Sequence, residues 1–164
     1  MNKSQQHLEQ VAALLREQTT LSLATTGEDG EPCVTPLFYM VDEELSLYWL
    51  SSQSSRHSRN LLRTPRVAAT VYGSATCWQE IRGVQMRGEV SKITEPKRRA
   101  ALVKAYCERF QLGTVFRLVI RRSALYLLQP DFFRYIDNAR GFGSNVELAR
   151  PAQGWTLCRP IRPT

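Results

Sequence analysis

The sequence predicts a mainly β (α+β) fold, an antiparallel closed or split β-barrel of about six or more strands with two to three peripheral helices. The first observation is that segments rich in β-branched and aromatic residues recur with short turns between them. The second is that helical spacing of apolar residues is confined to a few stretches. A chain of 164 residues fits one domain, which we expect at 1–150, with a loose tail at 151–164.

The first part of the chain reads as one helix followed by three strands. Residues 4–18 repeat apolar side chains at helical spacing. Residues 21–26, 32–41 and 45–51 are rich in strand-forming types, and short polar turns separate them. Short connections favour antiparallel neighbours, so these three strands predict a β-meander.

The rest of the chain predicts alternating helices and strands. We expect Thr94 to cap a helix whose apolar stripe is Leu102, Tyr106 and Phe110. From Asp137 the chain is rich in Gly, Asn and Pro and reads as loop. The predicted elements are helix 56–63, strand 67–72, strand 78–93, the helix that opens at 94–96, and strand 115–129.

Composition and charge narrow the partners. Lys plus Arg number 22 and Asp plus Glu number 15, so the net charge is +7 and favours an anionic partner. No apolar run reaches membrane-spanning length and the N-terminus is polar, so we expect a cytoplasmic protein with no membrane partner. The four cysteines are far apart and histidines number two, so we expect no metal site.

Residues 51–60 form the most informative segment. A strand end, a serine-rich turn and Arg56-His57 at a helix start favour an anion site. Free backbone N–H groups and the positive end of the helix dipole attract phosphate, and a guanidinium holds two of its oxygens. The alternative is that the serines only cap the helix and the arginines form a solvated face.

Two further places could contact a flat ligand. Gln85 offers a donor and an acceptor on the polar face of its strand, and Gly83 on the same face leaves room for a ring. Gln85 could equally be an exposed or interface residue. The loop 138–144 could place Phe142 over a ligand, or it could be a plain turn. His57 could act as a general base, but no GxSxG elbow or paired carboxylates accompany it.

Several motifs occur together in a familiar order: LSLATT (21–26), GEP (30–32), TPLFY (35–39), SRHSRNL (55–61) and PRV (65–67). In this order they resemble the FMN-binding split-barrel superfamily named for pyridoxamine 5′-phosphate oxidase, over most of residues 8–128. The motifs IRGVQMRGEV (81–90), AYCERF (105–110) and DNARGFG (137–143) are similar to its small YhbP-like bacterial branch.

The resemblance implies a homodimer with two FMN sites at the subunit interface. Ser55, Arg56 and His57 would hold the phosphate, although the superfamily often has Lys where this chain has His57. Histidine is mostly neutral at pH 7, so a phosphate held by His57 would bind less tightly as pH rises. The other residues that the resemblance places around the cofactor are Thr35, Leu37, Phe38, Tyr39, Leu50, Ser51, Ser52, Gly83 and Gln85.

The function expected from the sequence is that of an FMN-dependent oxidoreductase of unknown substrate. In the true oxidases, arginine-rich C-terminal features hold pyridoxamine phosphate, and Trp155 and Arg159 are too weak a match to them. A vitamin B6 enzyme is therefore not expected. One alternative is a non-catalytic flavin-binding or sensor protein. Another is a cofactor-less basic barrel that binds nucleic acid, which the scattered basic residues disfavour. Haem handling occurs in the wider superfamily, but His7 and His57 leave few options for axial ligation.

Overall fold

A computed structural model of the protein describes residues 3–113, 116–151 and 154–158. The described residues form four helices: α1 (Lys3–Glu17), α2 (Arg56–Arg63), α3 (Pro96–Arg109) and α4 (Arg117–Arg122). They form nine strands: β1 (Thr20–Thr26), β2 (Pro32–Phe38), β3 (Met40–Val41), β4 (Leu47–Ser52), β5 (Arg66–Tyr72), β6 (Arg82–Lys92), β7 (Ser123–Asp137), β8 (Asn145–Ala149) and β9 (Thr156–Leu157). None of these helices is long and apolar enough to cross a membrane.

The strands form one antiparallel sheet that curls into a split barrel. Its order is β2-β1-β5-β6-β7-β4-β3, with β8 beside β7 and β9 beside β8. β2 and β3 stand at opposite edges although only Tyr39 separates them along the chain. The two edges must therefore approach each other at this residue. The Tyr39 hydroxyl donates a 2.6 Å hydrogen bond to the Leu15 carbonyl oxygen, which ties the junction to α1. The predicted fold class is confirmed.

The inner face of the sheet carries the main core. Burial alternates along β1 and β5, as period-two strands require. Along β6, Val84, Met86 and Val90 are buried and Gln85 is exposed, which confirms the polar face expected for Gln85. A second, smaller core joins the outer face of β4 and β7 to α3. Its buried members are Tyr48, Ile93, Leu125 and Leu127.

The consecutive pairings of the predicted meander are confirmed, but its middle strand is divided in two. β1 and β2 form a hairpin, and β3 and β4 form another, but the chain crosses from one sheet edge to the other between them. The segment 32–41, which reads as one strand, is divided at Tyr39. The Tyr39 N–H still donates to the Thr19 carbonyl oxygen at 3.0 Å beside β1, whereas Met40 already pairs with Tyr48 of β4.

The predicted strand 115–129 is also wrong in its first half. Residues 117–122 are helical, and the strand begins at Ser123 and continues to Asp137. The alternation of apolar residues suggested a strand, but Leu118 and Val119 are both exposed. The Arg99 guanidinium donates to the carbonyl oxygen of Ser123 at 2.8 Å and so holds the end of α4.

Three boundaries differ from expectation. The helix α3 is capped by Glu95 and not by Thr94, since the Glu95 carboxylate accepts from the first free N–H groups. Residues 78–80 form one 3-10 turn before β6 begins. The region after Asp137, read as loop, contains β8 and β9, and Trp155 stacks on Phe133 with ring centroids 4.6 Å apart. Part of the tail expected at 151–164 thus lies against the sheet, and residues 152–153 and 159–164 lie outside the described residues.

Candidate cofactor-binding site

The serine turn after β4 is built around the start of α2. Ser55 is the N-cap of this helix, and its hydroxyl oxygen accepts the Ser58 N–H at 3.3 Å. The same oxygen lies 2.8 Å from the Ser58 hydroxyl. The capping role that the sequence suggested for a serine here is confirmed. The cap fixes where the first backbone N–H groups of α2 point.

His57 lies beneath this turn and not on its surface. The side chain is buried, and its Nε2 atom lies 2.7 Å from the Ser51 hydroxyl and 3.1 Å from the Ser55 hydroxyl. Burial lowers the pKa of the His57 imidazole below its usual value, so the ring is neutral at pH 7. The structure therefore brings Ser51, Ser55 and His57 together, with the imidazole supporting two hydroxyl groups.

Arginine side chains of α2 surround the turn. Arg56 is exposed, and Arg59 donates to the Ser54 carbonyl oxygen. Arg63 pairs with Glu28 at 2.6 Å. Among residues 3–113, 116–151 and 154–158, no carboxylate forms an ion pair with Arg56. A cleft of about 430 Å³ runs between these arginines and the turn at 27–29.

Two buried polar residues that the sequence analysis missed attach α2 to the barrel. The Asn60 amide donates to the Thr25 hydroxyl at 3.0 Å, and both side chains are buried. An asparagine beside apolar Leu61 in a short helix is the sequence signal that could have identified this contact. The bond matters because it fixes the position of α2 relative to β1.

The four predicted residues of the segment 35–39 do not share one face. Thr35 and Leu37 are half-buried on the side of β2 that carries the core, and Tyr39 is fully buried. Phe38 points outward and packs on Phe110 of α3, with ring centroids 5.1 Å apart. The Tyr106 hydroxyl donates to the Phe38 carbonyl oxygen at 3.1 Å and so fixes the end of β2.

The remaining residues predicted on β4 are also divided between two faces. Leu50 packs with the smaller core against α3, while Ser51 points to the inner side and meets His57. Ser52 is exposed at the strand end, where its hydroxyl lies 2.8 Å from that of Ser54. A ligand that contacts the Ser51 side chain from the inner side therefore does not contact the Leu50 side chain.

Gly83 and Gln85 line a separate, mostly apolar pocket of about 410 Å³ on the outer face. Tyr72 and Ile81 form its exposed apolar wall. A Cβ atom on Gly83 would lie 3.3 Å from the Tyr72 Cβ, so a larger residue would have to displace Tyr72 by a few tenths of an ångström. Beside the pocket, Phe142 of the third predicted place meets Trp78 edge-on at 5.6 Å.

In one chain the pocket and the serine turn are far apart. α2 leads into the start of β5 at Arg66, whereas the pocket lies at the other end of that strand, at Tyr72. Six residues of strand span roughly 20 Å. The two places also lie on opposite faces of the sheet. Ser51 is two residues from the buried Trp49 and so points to the inner face, whereas Gln85 is exposed on the outer face. The serine turn and the Gln85 pocket are therefore separate places within one chain.

The curled sheet and the basic serine turn define a split-barrel protein. The sequence model described as pyridoxamine 5′-phosphate oxidase matches residues 8–127. The chain therefore belongs to the pyridoxamine 5′-phosphate oxidase family, which confirms the resemblance found in the sequence.

Relatives and solved structures agree with this assignment. The chain is similar to a UPF0306 protein of Yersinia pestis bv. Antiqua (strain Angola), with 31% identity over 137 residues, 83% of this chain and 88% of that protein. Its fold is similar to a pyridoxamine 5′-phosphate oxidase-related, FMN binding protein of Nostoc punctiforme, with a TM-score of 0.70, 16% identity and coverage of 98% of both chains. It is also similar to HutZ, the haem storage protein of Vibrio cholerae, with a TM-score of 0.63, 22% identity and coverage of 74% of this chain and 88% of HutZ.

Proposed function

We propose that this protein is a homodimeric FMN-binding protein and an FMN-dependent oxidoreductase, with the cofactor phosphate at the serine turn. The observation that carries the proposal is the buried His57 imidazole, which lies within hydrogen-bond distance of the Ser51 and Ser55 hydroxyls beside the exposed Arg56. When bound, FMN supplies the hydride and electron chemistry. The substrate is a small molecule that the fold does not identify.

The roles at the phosphate differ from those that the resemblance implies. Arg56 would bind two phosphate oxygens as a fork, because it is exposed and no carboxylate of the described chain pairs with it. In its Nε2–H tautomer, neutral His57 donates to the serine oxygens. The hydroxyl proton of Ser51 is then free to donate to phosphate, whereas the Ser55 hydroxyl donates to the Ser52 carbonyl oxygen at 2.9 Å. His57 thus acts as a positioning residue through the serines.

The separation of the serine turn from the Gln85 pocket supports a homodimer in which each of them is half of one cofactor site. A ligand held at the serine turn does not reach Gln85 of the same chain, but a second copy can bring its own pocket to the turn. The outer face around that pocket exposes large apolar side chains, including Val34, Tyr72 and Ile81, which a partner subunit would cover. Gly83 and Gln85 of one chain would then line the ring of the cofactor held by the other.

Haem is a second candidate because HutZ is described as a haem storage protein. The histidines of this chain fit it poorly. His57 is buried with Nε2 directed at two serines, and His7 lies on α1 with Nδ1 3.0 Å from Gln10. Neither histidine lines the apolar pocket beside Gln85. The donor set therefore favours a phosphate-bearing cofactor over an iron porphyrin. The expected cytoplasmic location stays a prediction.

The proposal is tested by visible absorption after the purified protein is mixed with FMN and desalted. We expect about one retained FMN per chain, and a large loss of retention in Arg56→Ala. Arg16→Ala is the matched control, since Arg16 pairs with Glu43 and lines neither the cleft at the serine turn nor the pocket beside Gln85. Retention of haem and not FMN would contradict the proposal. Bound FMN that neither NADH nor NADPH reduces would favour the non-catalytic flavin-binding alternative.

A further inference from the structure

The short helix α4 exposes an unusual mixture of apolar and basic side chains. Phe116, Leu118 and Val119 are respectively 48%, 67% and 61% exposed, and Arg121 and Arg122 are exposed beside them. We call these five residues the α4 face. Ile120, on the other side of the helix, is half-buried and anchors it to the protein.

Apolar and basic positions interleave on the α4 face. Arg122 stands one helical turn after Leu118, and Val119 stands three residues after Phe116, so each pair shares a side of the helix. An arginine between two apolar side chains can lay its methylene stem along them while its charge stays at the surface. This arrangement suits an interface between apolar and anionic layers.

Positive charge continues from the α4 face onto α3. Lys97, Arg98 and Arg99 occupy the first turn of α3, where the helix dipole disfavours cations. The Arg99 guanidinium donates to the carbonyl oxygens of Ile120 and Ser123, at 3.4 Å and 2.8 Å, which places this basic turn beside the end of α4. Positive charge is thus concentrated where the first turn of α3 meets the end of α4, although it lowers the stability of α3.

We propose that the α4 face docks on an anionic lipid surface, with Leu118 and Val119 entering the interfacial layer and Arg121 and Arg122 meeting lipid phosphates. This is surface attachment and not a membrane span, so it changes the expectation that the protein has no membrane partner. Exposed apolar groups favour lipid over nucleic acid, whose phosphate backbone would meet the arginines but would not bury Leu118 or Val119.

The experiment is cosedimentation of the full chain with vesicles of phosphatidylglycerol and phosphatidylcholine, compared with phosphatidylcholine alone. We expect binding that needs the anionic lipid and weakens as salt rises. The variant Arg121→Gln/Arg122→Gln should lose about 30-fold in partitioning, at about one kilocalorie per mole for each cation. The variant Leu118→Ser/Val119→Ser should lose about tenfold without a change in charge.

Matched control variants distinguish binding through the α4 face from non-specific binding to vesicles. Leu62→Ser removes an apolar side chain of α2 that is 68% exposed, close to the exposure of Leu118, and should leave binding unchanged. Lys104→Gln/Arg140→Gln removes the same net charge elsewhere and should change binding little. Circular dichroism and thermal melting confirm that each variant is folded.

Three results would overturn the proposal. One is equal binding to neutral and anionic vesicles. Another is that the protein binds single-stranded nucleic acid but not vesicles, and that Arg121→Gln/Arg122→Gln abolishes this binding. A third is a change of oligomeric state in Leu118→Ser/Val119→Ser with no effect on vesicle binding, since the face would then be an interface between copies of this chain.

Discussion

The contact between His57 and Ser51 gives a quantitative prediction about the phosphate site. The perturbations are Ser51→Ala, His57→Gln and the double variant. The two side chains approach to 2.7 Å, so the imidazole fixes the direction of the Ser51 hydroxyl. If His57 acts through the serines, the two substitutions will not have independent effects on FMN affinity.

The magnitudes follow from the kinds of hydrogen bond removed. A hydroxyl that donates to a charged phosphate contributes about 1.5–3 kcal/mol, so Ser51→Ala should weaken FMN binding roughly 10- to 100-fold. His57→Gln removes support from neutral hydroxyls and should cost about 0.5–1.5 kcal/mol. The double variant should lose less than the sum of the two, with a coupling of about 1 kcal/mol. A residual effect is expected because His57 also lies 3.1 Å from Ser55.

The assay is titration of FMN by its fluorescence at pH 7.5, with thermal melting to confirm that each variant is folded. Ser91→Ala, at an exposed serine of β6, is the control and should bind FMN as the unaltered chain does. Losses that simply add, or a His57→Gln variant with unchanged affinity, would refute the role of His57 as a positioning residue.

Further predictions concern stability. Burial lowers the pKa of His57 in the folded state, so its contribution to the free energy of unfolding is present above about pH 6.5 and is lost as pH falls through the folded pKa. Denaturant titration at several pH values should show this loss of stability, and the loss should be smaller in His57→Gln. Tyr39→Phe should cost about 1–3 kcal/mol in the same assay by leaving a buried carbonyl of α1 unpaired, whereas an unchanged midpoint would contradict the barrel junction. Gly88→Ala should lower the melting temperature because its Cβ would overlap the Gln129 carbonyl, while Gly113→Ala, in open space, should not.

The fold class could be predicted because burial follows local periodicity. The alternation in β5 and β6 is visible in the sequence, and the structure buries the same side chains. The Ser55 cap also follows from local chemistry. These features depend on neighbours along the chain, which the sequence displays directly.

The barrel closure could not be predicted from local pattern. The segment 32–41 has a continuous strand composition, and only the strand pairings show that it is divided at Tyr39 between two sheet edges. The segment 117–122 carries an ambiguous apolar pattern, and its helix is held by Arg99 from a distant part of the chain. In both cases tertiary contacts override local preference.

For the site, the sequence indicated the right segments but not their arrangement. Ser51, Ser55 and His57 do meet, yet the burial of His57 beneath the hydroxyls depends on how α2 packs. The separation of Gln85 from the serine turn depends on the register of the strands and on which face of the sheet each side chain points to. The sequence alone therefore could not show that the serine turn and the Gln85 pocket lie apart in one chain.

The most direct test of the two-chain site is complementation between Arg56→Ala and Gln85→Ala. Each variant alone should retain little FMN after desalting. In a heterodimer, purified with two affinity tags, one site contains both substitutions and the other contains neither, so we predict about one tightly bound FMN per heterodimer. A heterodimer that retains no more FMN than either variant alone, or a protein that is monomeric at the assay concentration, would contradict the central claim.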